Sequence, residues 1–107
     1  MVKKLLSSGC FGARLREARV RTGLAQDKLG VLIGLDEGCA SARISRYETG
    51  MHQPPFETAQ KLAAVLQVPV TYFYCESEWL AALVCRVERC SSDEKAALDD
   101  WFAKRHL

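Results

Sequence analysis

The stretch "SARISR", residues 41–46, sets two guanidinium groups, two hydroxyls and one methyl around a single isoleucine, Ile44. Arginine offers paired donors in a fixed fork, serine both donates and accepts, and alanine gives a small apolar contact. That chemistry suits the reading of a donor–acceptor edge or the holding of a planar anion. Nothing comparable points to bond breaking. No histidine stands beside a serine or cysteine in a catalytic context, no glycine loop is built to cradle phosphate, and no acid/base pair stands out. An enzyme is not expected.

Charge supports an anionic partner. Residues 1–55 carry nine Lys/Arg against five acids, a balance of +4, whereas residues 56–107 carry six bases against eight acids, a balance of −2. A basic half beside an acidic half fits a polyanion-binding unit with a separate assembly element. The five cysteines, Cys10, Cys39, Cys75, Cys85 and Cys90, form no Cys-x-x-Cys pair. They read as reduced thiols, mostly buried as small apolar groups, and with only His52 and His106 to supplement them no zinc site or other cofactor is expected. Cys85 and Cys90, five residues apart, fall on different helix faces. No apolar run approaches the roughly 20 residues that span a bilayer. The start, "MVKKLLSSGC", lacks the apolar stretch of about 7 to 15 residues of a signal peptide. A cytoplasmic protein without a membrane partner is the expectation.

The elements that must carry the 41–46 cluster are helices. Alanine, leucine, arginine, glutamate and lysine dominate between the breaks at Gly23, Gly34, Gly50, Pro54-Pro55, Pro69 and Ser91-Ser92, and no stretch alternates like a strand. The spacing predicts a first helix over about 10–22, with Leu15, Ala18 and Thr22 inward and Gly23 past its end. A second, over 25–33, presents Leu29, Leu32 and Ile33; a third, "ARISRYET", turns Ile44 and Tyr47 inward. The fourth follows Pro54-Pro55 with Phe56, Ala59, Leu62, Ala63 and Leu66 on one stripe, and a short fifth begins at Pro69, anchored by Phe73. Residues 77–107 read as a helical hairpin. Trp79, Leu80, Leu83, Val84 and Val87 form one stripe; Ala97, Leu98, Trp101 and Phe102 form another behind a capping box from Ser91 to Glu94.

The segments "LREARVRTGLAQDKLG", "ISRYETG" and "PPFETAQKLAAVLQVP", in that order, resemble the Cro/repressor-type (XRE-like) helix-turn-helix family over about residues 10–75. The resemblance implies an all-α chain: a five-helix repressor-like domain over 1–75 followed by the hairpin, 76–107, as a dimerisation element. It implies double-stranded DNA as partner, with helix 2 crossing the backbone and helix 3 in the major groove. Gln26 matches the position whose amide meets a phosphate, and Arg19 and Glu48 match an ion pair between helices 1 and 3. Gly30 stands where the family usually has alanine, at the close contact of helices 2 and 3.

One departure is plain. Ten positions separate Gly34 from Ile44, four more than in the family pattern. They either lengthen the loop or add a turn to helix 3; Gly38 argues for loop through about residue 38, with Ser41 near the start of the helix. The DNA-binding set expected from the resemblance is Gln26, Lys28, Ser41, Ala42, Arg43, Ser45, Arg46 and His52. Gln53 and Arg14 are further phosphate candidates, and Lys3 and Lys4 a candidate arm. Each has a bland counterpart in a solvated polar face. The whole therefore stands as a sequence-specific regulator, most simply a repressor and a homodimer with no small-molecule effector inferred. Against it stands a protein-interaction module, which the acidic Asp36–Glu37 insertion favours.

Overall fold

Six α-helices follow one another in the computed structural model, which describes Leu6 and residues 8–107: α1 (Phe11–Thr22), α2 (Gln26–Leu32), α3 (Glu37–Glu48), α4 (Phe56–Leu66), α5 (Glu78–Glu88) and α6 (Ser92–Ala103). A five-residue 3-10 turn, Val70–Tyr74, links α4 to α5. The candidate arm residues Lys3 and Lys4 lie outside the described residues. Among the described residues the β pairing is one isolated antiparallel bridge, Leu6 to Cys75. The all-α expectation stands.

The core forms where the periodicities meet. Phe11, Leu15 and Ala18 of α1 pack with Leu29 and Ile33, with Ile44 and Tyr47 of α3, and with Ala59, Leu62, Ala63 and Leu66 of α4. Tyr72 and Phe73 close it from the 3-10 turn, the Phe73 ring lying 4.8 Å from Phe11 centroid to centroid. Apolar burial of this kind stabilises by roughly 25 cal/mol per Å².

The added residues before Ile44 become helix. Asp36 is the N-cap: its carboxylate Oδ2 accepts from the Gly38 N–H at 3.2 Å, and α3 runs from Glu37. The expected loop through residue 38 is thus overturned. A cap of this type contributes about 1 kcal/mol, comparable to the helix cost of Gly38. The extension also turns Ala40 inward, fully buried, directly against α2. A Cβ on Gly30 would stand 2.6 Å from the Ala40 Cβ and 2.9 Å from its Cα. This explains why glycine replaces the family's alanine at 30: the longer helix supplies the methyl from the other side.

Several residues expected inside lie outside. Thr22 is exposed, its hydroxyl donating back to the Ala18 and Arg19 carbonyls at 3.1 and 2.8 Å. Leu32 is exposed because Leu29 and Ile33 already fill the inner side of the seven-residue α2. Phe56, first residue of α4, overhangs the core while Pro54 is buried in its stead.

The hairpin stripes divide. Ser77 and Ser91 cap α5 and α6, the second through the expected capping box with Glu94. Ala81 enters the core, with Leu80, Val84 and Cys85 packed partly against it, while Trp79 is 70% exposed and Val87 also faces out. α6 has no buried residue, and Trp101 and Phe102 are exposed on it. A groove of 460 Å³ between the two helices is lined by Leu83, Val87, Leu98 and Phe102.

Arg14 is the one charged residue buried in the described structure, at 4% exposure. Its Nε donates to the Cys75 carbonyl at 2.8 Å, Nη2 to the Glu76 carbonyl at 3.2 Å, and Nη1 to the Glu78 carboxylate at 3.0 Å and to Glu17 at 3.3 Å. Burial pulls its pKa down, but the Glu78 hydrogen bond and the charges of Glu78 and Glu17 outweigh burial and leave it raised. Glu17 in turn accepts from the Tyr72 hydroxyl at 2.9 Å; burial first, then this bond, pushes that phenol up to about 12. Arg14 is therefore committed inward and not to a phosphate.

Gly30→Ala is expected to destabilise by about 1–3 kcal/mol, since overpacking against Ala40 outweighs the gain in helix propensity. Urea denaturation should show the lowered midpoint. Adding Ala40→Gly should recover only a small part of it, because the Ala40 Cα and carbonyl oxygen, at 2.9 and 3.0 Å, remain and the second glycine costs helix propensity.

Candidate nucleic-acid interface

The candidate surface is assembled by α1, α2 and α3. Glu48, at the end of α3, receives Arg19 of α1 in a two-pronged ion pair, through Nε to Oε2 and through Nη2 to Oε1 at 3.1 Å. The third arm of Arg19, Nη1, donates to the Leu24 carbonyl at 2.9 Å, fixing the turn between α1 and α2. The hydrogen bonds to Glu48, opposed by burial, raise the arginine's pKa. The same Glu48 oxygen accepts from the Gln26 side-chain amide at 3.1 Å, and Gln26 Oε1 accepts from Ser41 Oγ at 3.3 Å. One chain of contacts therefore runs from Arg19 through Glu48 and Gln26 to Ser41, across three helices. α1 reaches α3 this closely because Gly12 carries no side chain: a Cβ there would fall 2.3 Å from the Glu48 carbonyl oxygen.

With Ala40, Ile44 and Tyr47 buried, the other side of α3 is set. Ala42 lies at its crest with Ser45, half-buried, and Arg46, exposed, beside it; Ser41 and Arg43 flank them, both exposed. Neither Arg43 nor Arg46 side chain makes an ion pair or hydrogen bond among the described residues, so both guanidinium forks are free to meet a ligand. Gln26 sits at the first position of α2, half-buried, where the free N–H groups of a helix start favour an anion. Lys28 and His52 are exposed, at the α2 surface and in the turn after α3. Gln53 instead donates to the Ser8 carbonyl at 3.2 Å.

Two features were not foreseen. Arg16, exposed on α1, lines a cleft together with Gln26, Ser45 and Thr49, adding a cation beside the α2 start. Its spacing from Arg19 was the available signal. The lengthened α3 also carries Gly38 and Cys39 one turn ahead of Ala42 on the outward side, a placement hidden while Gly38 read as loop.

A family model described as a helix-turn-helix domain matches residues 11–71, the span of α1 to the 3-10 turn. The chain belongs to the helix-turn-helix family. The crystal structure of the transcriptional regulator BswR superposes on this helix-turn-helix chain with a TM-score of 0.81 at 42% identity, covering 87% of this chain and 92% of that one. The cryptic phage CTXphi transcriptional repressor RstR of Vibrio cholerae is 29% identical over 93 residues, covering 82% of this chain and 80% of its own. Two uncharacterized HTH-type transcriptional regulators, from Sinorhizobium medicae (strain WSM419) and Rhizobium meliloti (strain 1021), are each 32% identical over 63 residues, 59% of this chain. The matched region spans only 42% of the length of these two rhizobial proteins. The similarity to BswR and RstR runs past residue 71 and so takes in part of the hairpin.

Removing either partner of the α1–α3 ion pair leaves a nearly buried charge without its counterpart. Arg19→Met and Glu48→Met are each expected to cost about 3–5 kcal/mol, and the double variant less than the sum. Urea unfolding of the three variants reads the coupling directly.

Proposed function

We propose that this chain is a sequence-specific DNA-binding transcriptional regulator, acting in the cytoplasm as a repressor that occupies an operator, without catalysing a reaction. The observation that carries this reading is the outward side of α3. It presents Arg43 and Arg46 unpaired among small residues, while the core-facing side is locked to α1 and α2. Arginine pairs bidentately with guanine, serine meets either base edge, and the Ala42 methyl suits thymine. Gln26 and Lys28, with His52 at the far end, take phosphates, so the backbone positions α3 and the α3 side chains select the sequence. The names of the relatives point the same way.

In this reading residues 1–75 are the DNA-binding unit and 76–107 the assembly element of a homodimer. The exposed Trp79, Trp101 and Phe102 and the apolar groove between α5 and α6 support it, since a face of that kind on a lone chain invites aggregation. Two copies related by a two-fold axis would present two α3 helices about 34 Å apart, one turn of duplex.

A second reading has its own observation. Val31 and Leu32 are exposed in a groove lined also by Lys28 and by three acids, Asp27, Asp36 and Glu37, whose net negative charge favours a protein partner over a phosphate on that flank. Selection from random duplex DNA separates the two. The regulator reading expects one enriched sequence, a binding constant that falls steeply with salt, and affinity well tighter than the roughly 10⁻⁶ M of non-specific contacts. Enrichment of nothing sinks it.

Arg46→Ala is expected to weaken the selected site by about 1–3 kcal/mol and to relax preference at one or two base pairs, while Lys28→Ala weakens all sequences alike. Competition titrations with mismatched duplexes measure both effects. For the assembly element, the paired substitution Trp101→Asp and Phe102→Asp should shift the protein from dimer to monomer in sedimentation equilibrium at tens of micromolar. A native protein already monomeric there would remove the dimer.

A further inference from the structure

The joint between the 3-10 turn and α5 consists of Cys75, Glu76 and Ser77, three residues outside any helix. Its ends are held by backbone bonds, Cys75 N–H to the Tyr72 carbonyl at 3.3 Å and Ala81 N–H to the Ser77 carbonyl at 3.0 Å. The bridge from Cys75 to Leu6 and the seating of Ala81 in the core hold them further. Arg14 adds a polar clamp between these ends: from the N-terminal turn of α1 it donates to the carbonyls of Cys75 and Glu76 and to the carboxylate of Glu78 at the first position of α5. The guanidinium is rigid and planar, so two carbonyls of the joint and the first side chain of α5 are held by one flat group. The same helix, five residues on, holds α3 through Arg19. α1 is thus clamped at one end to the hairpin and at the other to the helix that carries Arg43 and Arg46.

We infer that Arg14 is a positioning residue that sets the separation of the two half-sites, by fixing the angle between the hairpin and the body that carries α3. The inference rests on the regulator and homodimer readings above. The lever is long enough to matter. Eleven residues of α5 extend about 16 Å, so a change of about 10° at the joint moves its far end by roughly 3 Å. Duplex DNA rises about 3.4 Å per base pair. A loosened joint therefore blurs the spacing by about a base pair without touching any residue that faces a base.

The alternative is that Arg14 only holds the fold together, and spacing preference tells them apart. Native protein, Arg14→Lys and Glu78→Gln are compared on duplexes carrying two inverted selected half-sites at graded separations, and on a duplex with one half-site. Lysine keeps the charge but cannot reach the two carbonyls and the carboxylate together. Glu78 is 84% exposed, so Glu78→Gln weakens one prong without disturbing the core, and decides the matter should Arg14→Lys fail to fold. The native protein is expected to favour one separation. Both variants should keep the dimer, the half-site base preference and the single half-site affinity. Discrimination against a separation one base pair off should fall by about tenfold in Arg14→Lys, the scale of one hydrogen bond to a charged group, and by about threefold in Glu78→Gln, the scale of an exposed ion pair. A folded, dimeric variant that keeps native spacing discrimination overturns the inference. Native protein that selects no sequence, or binds as a monomer, overturns the readings beneath it instead.

Discussion

The bidentate contact between Arg19 and Glu48 is the constraint on which the candidate surface depends. It is an ion pair between two helices that otherwise meet through apolar side chains and the close backbone approach at Gly12, contacts that carry little directional preference. Charges placed so far from water are held by geometry: a fork of two nitrogens on two oxygens, with the third arm on the Leu24 carbonyl. A carboxylate with its lone pairs so engaged can still accept from Gln26, which is how the lock reaches the start of α2 and then Ser41.

The extension of α3 shows how a local change is absorbed by a distant one. Added residues ahead of Ile44 place Ala40 one turn back on the same side, so the helix grows without rotating the face that follows. The new methyl needs room, and α2 provides it at Gly30, giving up helix propensity for close approach. Asp36 then serves as a cap, which spends one of the two inserted acids on the helix end and leaves Glu37 at the surface.

Much of this was legible in the sequence because it rests on periodicity and punctuation. Helical spacing located all six α-helices, α4 most clearly, while the short helix expected from Pro69 is the 3-10 turn Val70–Tyr74; Ser91 with Glu94 announced the last cap. The Arg19–Glu48 contact and the placement of Gln26 came from the resemblance. What escaped the reading depended on pairs distant in the chain. Gly38 looked like loop because its compensation lies in the Asp36 cap and the Gly30 notch, and Arg14 looked like a surface cation because its partners stand some sixty residues away. Trp79, Phe56 and Leu32 looked inward because composition does not reveal which side of a short helix the core has already filled.

Resistance to local opening differs along this chain. α1 to the 3-10 turn share one core, so exposing their backbone amides demands that the core come apart. α6 is tied down by its capping box and by contact with α5, and buries no side chain of its own. With so little burial to hold it, its amides are expected to open at a lower free energy than those of the core helices. The chain is therefore a molecule of two rigidities: a body that yields all at once, and a final helix whose persistence is a matter of what it rests against.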